Sequence, residues 1–234
     1  MNKNLIIFLV LFCSFGAQAQ RNGLFSREKI KNLEAFDKQR WSYGFYLGFN
    51  TYDFLFDYEL ERGDIMVDRN LGFNIGLIGN LRFNDYLDLR FEPAVIFTTR
   101  NLNFPQFDER RFSFREVNSN YVHLPLLLKV STKRINNFKP FVVGGFSVAH
   151  NLSSNQDNPS DNSSGQFRMQ DWSTFLEVGF GIDFYFDYFK FTPSIRGIFG
   201  LADEIVQDND PFSPWTSNIN QLRTRGVFIN FTFQ

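Results

Sequence analysis

The sequence lacks most of what an enzyme site or a helical membrane protein is built from. Its one cysteine, Cys13, lies in an N-terminal apolar stretch, so the rest of the chain has neither disulfides nor thiol chemistry. Bulky Phe12 precedes it, where a lipidated bacterial protein would carry a small residue. Histidine is limited to His123 and His150, too few for a metal cluster, and the Asp-rich stretches lack the Gly and Glu spacing of a calcium loop. No phosphate loop, G-x-S-x-G or H-x-x-E-H element is present. No cofactor, metal or catalytic residue is therefore expected. Past the N-terminus no run approaches the roughly 18 apolar residues of a membrane helix. With 24 basic and 25 acidic residues, there is no electrostatic case for a nucleic-acid partner.

What is abundant is phenylalanine, 32 residues, in a chain of ordinary hydrophobic content (43%) and mean hydropathy −0.25. That combination suits a membrane barrel, in which every second residue is polar. The N-terminus reads as a signal peptide over residues 1–19. Lys3 supplies its charge, Leu5 to Phe12 its apolar core, and Ala17-Gln18-Ala19 a small-x-small cleavage site. Residues 20–40 form a periplasmic segment in which Ser26, Ile30, Leu33 and Phe36 fit a short amphipathic helix. It would serve as a plug, a membrane-surface helix, a partner contact or a solvated leader.

From residue 41 onward the chain alternates apolar and polar side chains at the period of a strand. The clearest case is the hairpin from Leu71 to Phe97. Leu71, Phe73, Ile75, Leu77, Leu81, Leu87, Leu89, Phe91, Val95 and Phe97 face one way, and Asn74, Asn80, Asp88, Arg90 and Glu92 the other. Each arm exceeds the roughly 9–11 residues a tilted strand needs to cross a bilayer. Similar alternation marks strands at Trp41–Phe49, Ser119–Ser131, Asp171–Phe186, from Phe189, and from Gly226 to Phe233. Pro140–His150 is also a strand, but both its faces are mostly apolar and its orientation stays open.

Eight strands result, joined by connections that alternate in length. Asp53–Asn70, Arg100–Asn118, Asn151–Gly165 and Leu201–Gln221 are long; Asn84–Tyr86, Thr132–Lys139 and the turn at Asp187-Tyr188 are short. Outer-membrane barrels pair short periplasmic turns with long outer loops and an even strand number. A soluble lipocalin-like barrel has no reason to do so. The expected fold is all-β: an eight-stranded antiparallel transmembrane β-barrel over residues 41–234 in outer-membrane lipid.

The inward charges expected from this pattern are Asp88, Arg90, Glu92, Lys129, Glu177, Asp183 and Arg196, with Arg223 or Arg225 as further members. A lumen of eight strands is just wide enough for side chains. Buried charges need partners, so the expectation is a structural salt-bridge network rather than a pore. His123, inward with Glu177, Asp183 or Ser173, is the one candidate nucleophile–base grouping, and hydrogen-bonded filling is its expected role. His150 sits at a loop mouth, where it would pair with loop carboxylates. In the second long connection Phe104, Phe107, Phe112 and Phe114 alternate with Arg110, Arg111 and Arg115. That mix suits a protein-contact loop, or else an extension of the barrel wall.

Three passages also carry a family resemblance: NLEAFDKQRWSYGFYLGFNTYDF (Asn32 to Phe54), YVHLPLLLKVSTKR (Tyr121 to Arg134) and KPFVVGGFSVAHNL (Lys139 to Leu152). They resemble the PorT family, called SprT in gliding species, small outer-membrane barrels of the Bacteroidetes. The first passage is the most specific, whereas the Leu-Pro-Leu-Leu-Leu-Lys element is shared by a wider barrel superfamily. The resemblance implies a non-enzymatic role in type IX secretion, the export of proteins with C-terminal sorting domains, and in gliding motility. Its partners would be other type IX components. The competing expectations are a barrel enzyme acting on lipid or protein, with a His/Ser/acid constellation near one rim, and a narrow passive channel with an open lumen.

Overall fold

The computed structural model describes residues 31–60, 64–107, 109–154, 156, 167–208, 210 and 213–234. The signal peptide and most of the expected N-terminal helix, including Ser26 and Ile30, lie outside the described residues. Ten strand segments form one antiparallel sheet: β1 (Trp41–Tyr58), β2 (Met66–Arg69), β3 (Leu71–Arg82), β4 (Leu87–Phe91), β5 (Ala94–Asn103), β6 (Phe114–Ser131), β7 (Phe138–Asn151), β8 (Trp172–Tyr185), β9 (Lys190–Gly200) and β10 (Ile219–Phe233). Because β1 pairs with both β3 and β10, the sheet closes into a barrel and leaves no open edge.

The barrel has eight staves. β4 and β5 both lie between β3 and β6 and form one stave, interrupted at Glu92-Pro93. Proline has no N–H to give to a ladder. The pairing carries across the gap because Pro93 O accepts from Leu77 N at 2.9 Å and Glu92 N donates to Pro125 O at 3.3 Å. β2 only extends the rim against β5. The eight-stranded antiparallel barrel expected from the sequence is thus the fold observed.

Side-chain direction follows the alternation. On β1, Trp41, Tyr43, Phe45, Leu47 and Phe49 are exposed while Ser42, Tyr46, Asn50 and Tyr52 are buried. Exposed Leu77, Leu126, Val142, Phe146, Val178, Phe180 and Ile229 continue the apolar surface around the other staves. A water-soluble monomer rarely shows contiguous apolar patches beyond a few hundred Å², whereas lipid is the natural solvent for such a belt. Cross-strand aromatic pairs stiffen it, with ring centroids 5.4 Å apart for Phe45–Phe233 and 4.6 Å for Phe73–Phe97.

The strand ends depart from the expected ones. β1 runs on from Phe49 to Tyr58, and β5 and β6 run to Asn103 and from Phe114, so much of two expected loops is barrel wall. Polar outward residues such as Asp53, Asn101, Glu116 and Asn118 hide these extensions from a search for apolar alternation. Once pairing has begun below, continuing the ladder satisfies their backbone groups. β7, whose orientation the sequence left open, turns Lys139, Phe141, Val143, Ser147 and Ala149 inward and Val142, Phe146 and Val148 outward.

The three short turns, 83–86, 132–137 and 186–189, share one end of the barrel with residues 31–40 and with Gln234. The first is fixed by Asn84, whose side-chain oxygen accepts from Tyr86 N and Leu87 N at 2.8 and 2.9 Å. The second contains Asn136 at φ 51°, a left-handed conformation asparagine tolerates better than most residues.

Candidate functional site: the filled lumen and its mouth

The lumen is filled in layers from the turn end to the outer end. In the first, Lys129 Nζ donates to Asp183 Oδ2 at 2.5 Å and Thr192 Oγ1 to Asp183 Oδ1 at 2.7 Å. The Lys129 ammonium also sits 4.1 Å from the centre of the Phe141 ring. Asp88 is opposite Lys129 in the ladder, and buried Lys190 lies in the same region. The second layer is a chain of charges. Arg90 meets Glu92 at 2.7 Å, Arg196 bonds Glu92 at 2.6 Å and Glu177 at 2.9 Å, and Glu177 Oε1 lies 2.9 Å from His123 Nε2. Once Lys139 and Lys190 are included, the four carboxylates Asp88, Glu92, Glu177 and Asp183 face five cations: Arg90, Lys129, Lys139, Lys190 and Arg196.

All seven expected lumen charges are therefore buried inside the barrel, within this one region. Arg223 and Arg225 are not among them. Arg225 faces out and holds Asp53 at 2.8 Å, and Arg223 is its neighbour on the same outer face of β10. Their parity follows from β10 alternating from Leu222 onward, which Val227 and Ile229 had already set.

Alternation put Asn74 on the inward face, but asparagine and tyrosine are silent in a search for charge or metal ligands, so the next two layers were not picked out as a unit. Asn74 Nδ2 donates to Asn230 Oδ1 at 2.8 Å, with Asn50 beside it. Gly48 is what admits this cluster: a Cβ there would lie 2.2 Å from Asn230 Oδ1. Tyr52, Tyr121, Phe175, Phe228, Ile96 and Ile198 form an apolar layer alongside. Above it, fully buried Arg100 donates to Ser119 at 2.7 Å and to Tyr121 and Thr224 at 3.1 Å, and its guanidinium stacks 3.9 Å from the centre of the Phe54 ring. A last apolar cluster built on Phe54, Leu102, Phe104, Phe167, Met169 and Leu222 closes the outer end.

Of the candidate enzyme grouping only Glu177 meets His123; the serine beside the ring is Ser147 rather than Ser173, and the arrangement is not a relay. His123 Nε2 lies 2.9 Å from Ser147 Oγ as well as from Glu177 Oε1, and Nδ1 has no hydrogen-bond partner. A nucleophile–base–acid relay needs the two partners on opposite ring nitrogens. Here they share one, deep in the lumen rather than at a rim, and Arg196 already holds Glu177. Asp183 is taken by Lys129 and Thr192. His150 faces outward and stacks on Trp172 at 4.6 Å, and among the described residues it pairs with no loop carboxylate. Among the described residues, no three potential metal ligands gather.

The expected contact loop is also redrawn. Phe104 is 1% exposed within the outer cluster, and Arg115 is buried with its guanidinium 4.9 Å from the Trp215 ring. Phe107 packs between Phe112 and Trp215, and Phe114 starts β6, half-buried. Only Phe112 of these aromatics is an exposed side chain. The side chains of Arg110 and Arg111 lie outside what the structure describes. The extension of β5 and β6 turns alternate residues of this passage toward the lumen, which composition alone does not reveal.

At the turn end, residues 32–38 cross the mouth. Over the described part of the expected helix there is a turn and one 3-10 turn, Phe36–Lys38, with Leu33 at φ 49°. Asp37 accepts from Tyr185 Oη at 2.8 Å and meets Arg134 at 3.4 Å. Arg134 stacks on Tyr185 at 3.7 Å and also donates to the Asn32 carbonyl. The Phe36 ring sits 4.5 Å from Lys190 Nζ and so covers the lowest charged layer.

No curated protein matches the chain in sequence. Solved structures similar to it include the outer membrane protein OprG from Pseudomonas aeruginosa, 17% identical, with 82% of this chain and 94% of that chain covered and a TM-score of 0.49. Neisserial surface protein A is 13% identical, covering 83% and 98%, with a TM-score of 0.42. Ail of Yersinia pestis, in complex with the heparin analogue sucrose octasulfate, is 12% identical, covering 83% and 99%, with a TM-score of 0.39. Residues 17–206 match the family described as outer membrane protein beta-barrel domain, and the chain belongs to that family of outer-membrane barrels.

Proposed function

We propose that this barrel is a non-enzymatic component supporting type IX secretion and, in gliding species, motility. The reading includes export by a signal peptide over residues 1–19 and an orientation with the three short turns and residues 20–40 in the periplasm. Other type IX components would be its protein partners. The observation that carries the reading is the PorT-like passage Asn32 to Phe54, whose first residues, Asn32 to Lys38, fold across the barrel mouth. A surface formed there by a specific sequence is where a periplasmic partner would meet the barrel. The orientation is supported by the short turns gathering at that end.

The filled lumen supports a partner role over a conduit. Bonded layers from Asp183 to Arg100 leave no route for a folded cargo, and an eight-stranded barrel has little interior space to begin with. The test is deletion of the gene followed by locating proteins that carry C-terminal sorting domains. Cargo retained unprocessed in the periplasm, and released again on complementation, is the expected result. Normal cargo release in the deletion strain would sink the proposal.

A further inference from the structure

Two cations of the lower lumen, Lys139 and Lys190, are left over by the bonded charge network; Lys190 lies under the Phe36 ring, and Lys139 alone of the two lines a cleft. It begins β7 facing inward, 5% exposed, directly across the ladder from Asp183. Asp183 is already bonded by Lys129 and Thr192, and among the described residues Lys139 has no side-chain hydrogen bond or ion pair. Instead it lines an open cleft between residues 31–38 and the turns at 82–85 and 133–134. A buried ammonium without a partner is costly, and its position in the wall of a cleft points to a partner that arrives from outside.

The cleft's other charges agree. Arg82 is paired with Asp85 at 2.5 Å and Arg134 with Asp37 at 3.4 Å. What remains is Lys31, Lys38, Lys133 and Lys139 against Glu34 alone. We propose that this cleft binds the carboxylates of an acidic peptide segment on a partner protein, with Lys139 as the anchoring donor and Lys133 and Lys38 at the rim. One carboxylate supplies a single charge and two acceptor oxygens, which suits one buried ammonium flanked by exposed rim lysines. A phosphate dianion would bring more negative charge against Glu34, Asp37 and Asp85. Only the placing of this mouth in the periplasm rests on the orientation proposed above; the ligand chemistry does not.

The experiment uses the full mature chain folded in detergent micelles, with folding checked by the heat-dependent gel mobility of an intact barrel. Fluorescence anisotropy is read with a labelled octapeptide of alternating Glu and Ser and with its Lys/Ser counterpart. The acidic peptide binds and the basic one does not; K139Q weakens binding about tenfold, the scale of one lost hydrogen bond to a charged group. K139R restores it. The exposed variant K38Q/K133Q also weakens it, without touching the barrel interior, and raising the salt concentration does the same. Equal binding by K139Q and the parent protein overturns the proposal, as does equal binding of the two peptides. Lys139-dependent binding of inorganic phosphate without binding of the acidic peptide overturns the assignment to a peptide. Because binding is read on the isolated barrel, its failure is distinguishable from failure of the secretion role, which the deletion strain reads separately.

Discussion

Arg196 is held on two sides by carboxylates, Glu92 at 2.6 Å and Glu177 at 2.9 Å, in an interior where all three side chains are almost fully buried. Removing it strands two negative charges together. R196M is expected to lower stability by about 3–5 kcal/mol, the usual cost of breaking a buried pair from one side. The triple change R196M/E92Q/E177Q recovers much of that loss because no unpaired charge remains. Urea unfolding in micelles, followed by tryptophan fluorescence, measures both. A loss under about 1 kcal/mol for R196M, the size of a surface pair, would contradict the structural role of the network.

Glu204, in the connection after β9 and outside the spanning strands, is a different case. Burial raises its pKa above the ordinary 4.5, although bonds from Thr224 N and Oγ1 and the charge of Arg100 pull the other way. The folded state therefore holds this proton more tightly than the unfolded chain does. Its contribution to stability is fully present below about pH 4.5 and is lost as pH rises through the higher folded-state value. E204Q is expected to remove that decline from the unfolding free energy measured between mildly acidic and neutral pH. An identical decline in E204Q and the parent protein would assign the pH dependence elsewhere.

At the scale of elements, the segment Asn32–Lys38 is held to the mouth by polar contacts: Asp37 with Tyr185 and Arg134, Arg134 with the Asn32 carbonyl, and Asn32 with Asn137 and the Tyr185 carbonyl. Its 3-10 turn buries no residue fully, so this polar cluster, more than apolar packing, keeps it docked. D37A is expected to speed tryptic cleavage after Lys38 and Arg40 several-fold, since a loss of about 1–2 kcal/mol in docking shifts the released population by roughly five- to thirtyfold. Barrel stability itself should change little, because β1 to β10 keep their ladder. Unchanged cleavage would mean the segment is held by something other than Asp37. The sequence hinted at an amphipathic helix here from Leu33 and Phe36. It could not show that Arg134 and Tyr185, about a hundred residues or more away, bond Asp37.

Taken whole, the barrel is a closed wall around a bonded interior. Planar bilayers containing the purified protein are expected to show no steady ion conductance, and D37A, which frees only the mouth, should remain silent because the charged and apolar layers above stay in place. A discrete conductance in the parent protein would favour the passive-channel alternative. The wall was readable from the sequence because its cause is local. Side chains alternate across a strand, lipid demands that one side be apolar, and Leu71 to Phe97, on either side of its turn, and Tyr121 to Val130 obey both rules. The same parity placed Asp88, Arg90, Glu92, Lys129, Glu177, Asp183 and Arg196 inside. What parity cannot supply is registry between strands distant in the chain. That Arg196 bridges Glu92 and Glu177, that His123 shares one nitrogen between Ser147 and Glu177, that Phe104 and Arg115 turn inward, and that Lys139 is left unpaired beside a cleft all depend on how eight staves align around a ring. Apart from β7 and the strand extensions, the sequence alone determined which way strand faces turn, because neighbouring residues decide them; the partners across the lumen were decided only by closure of the barrel.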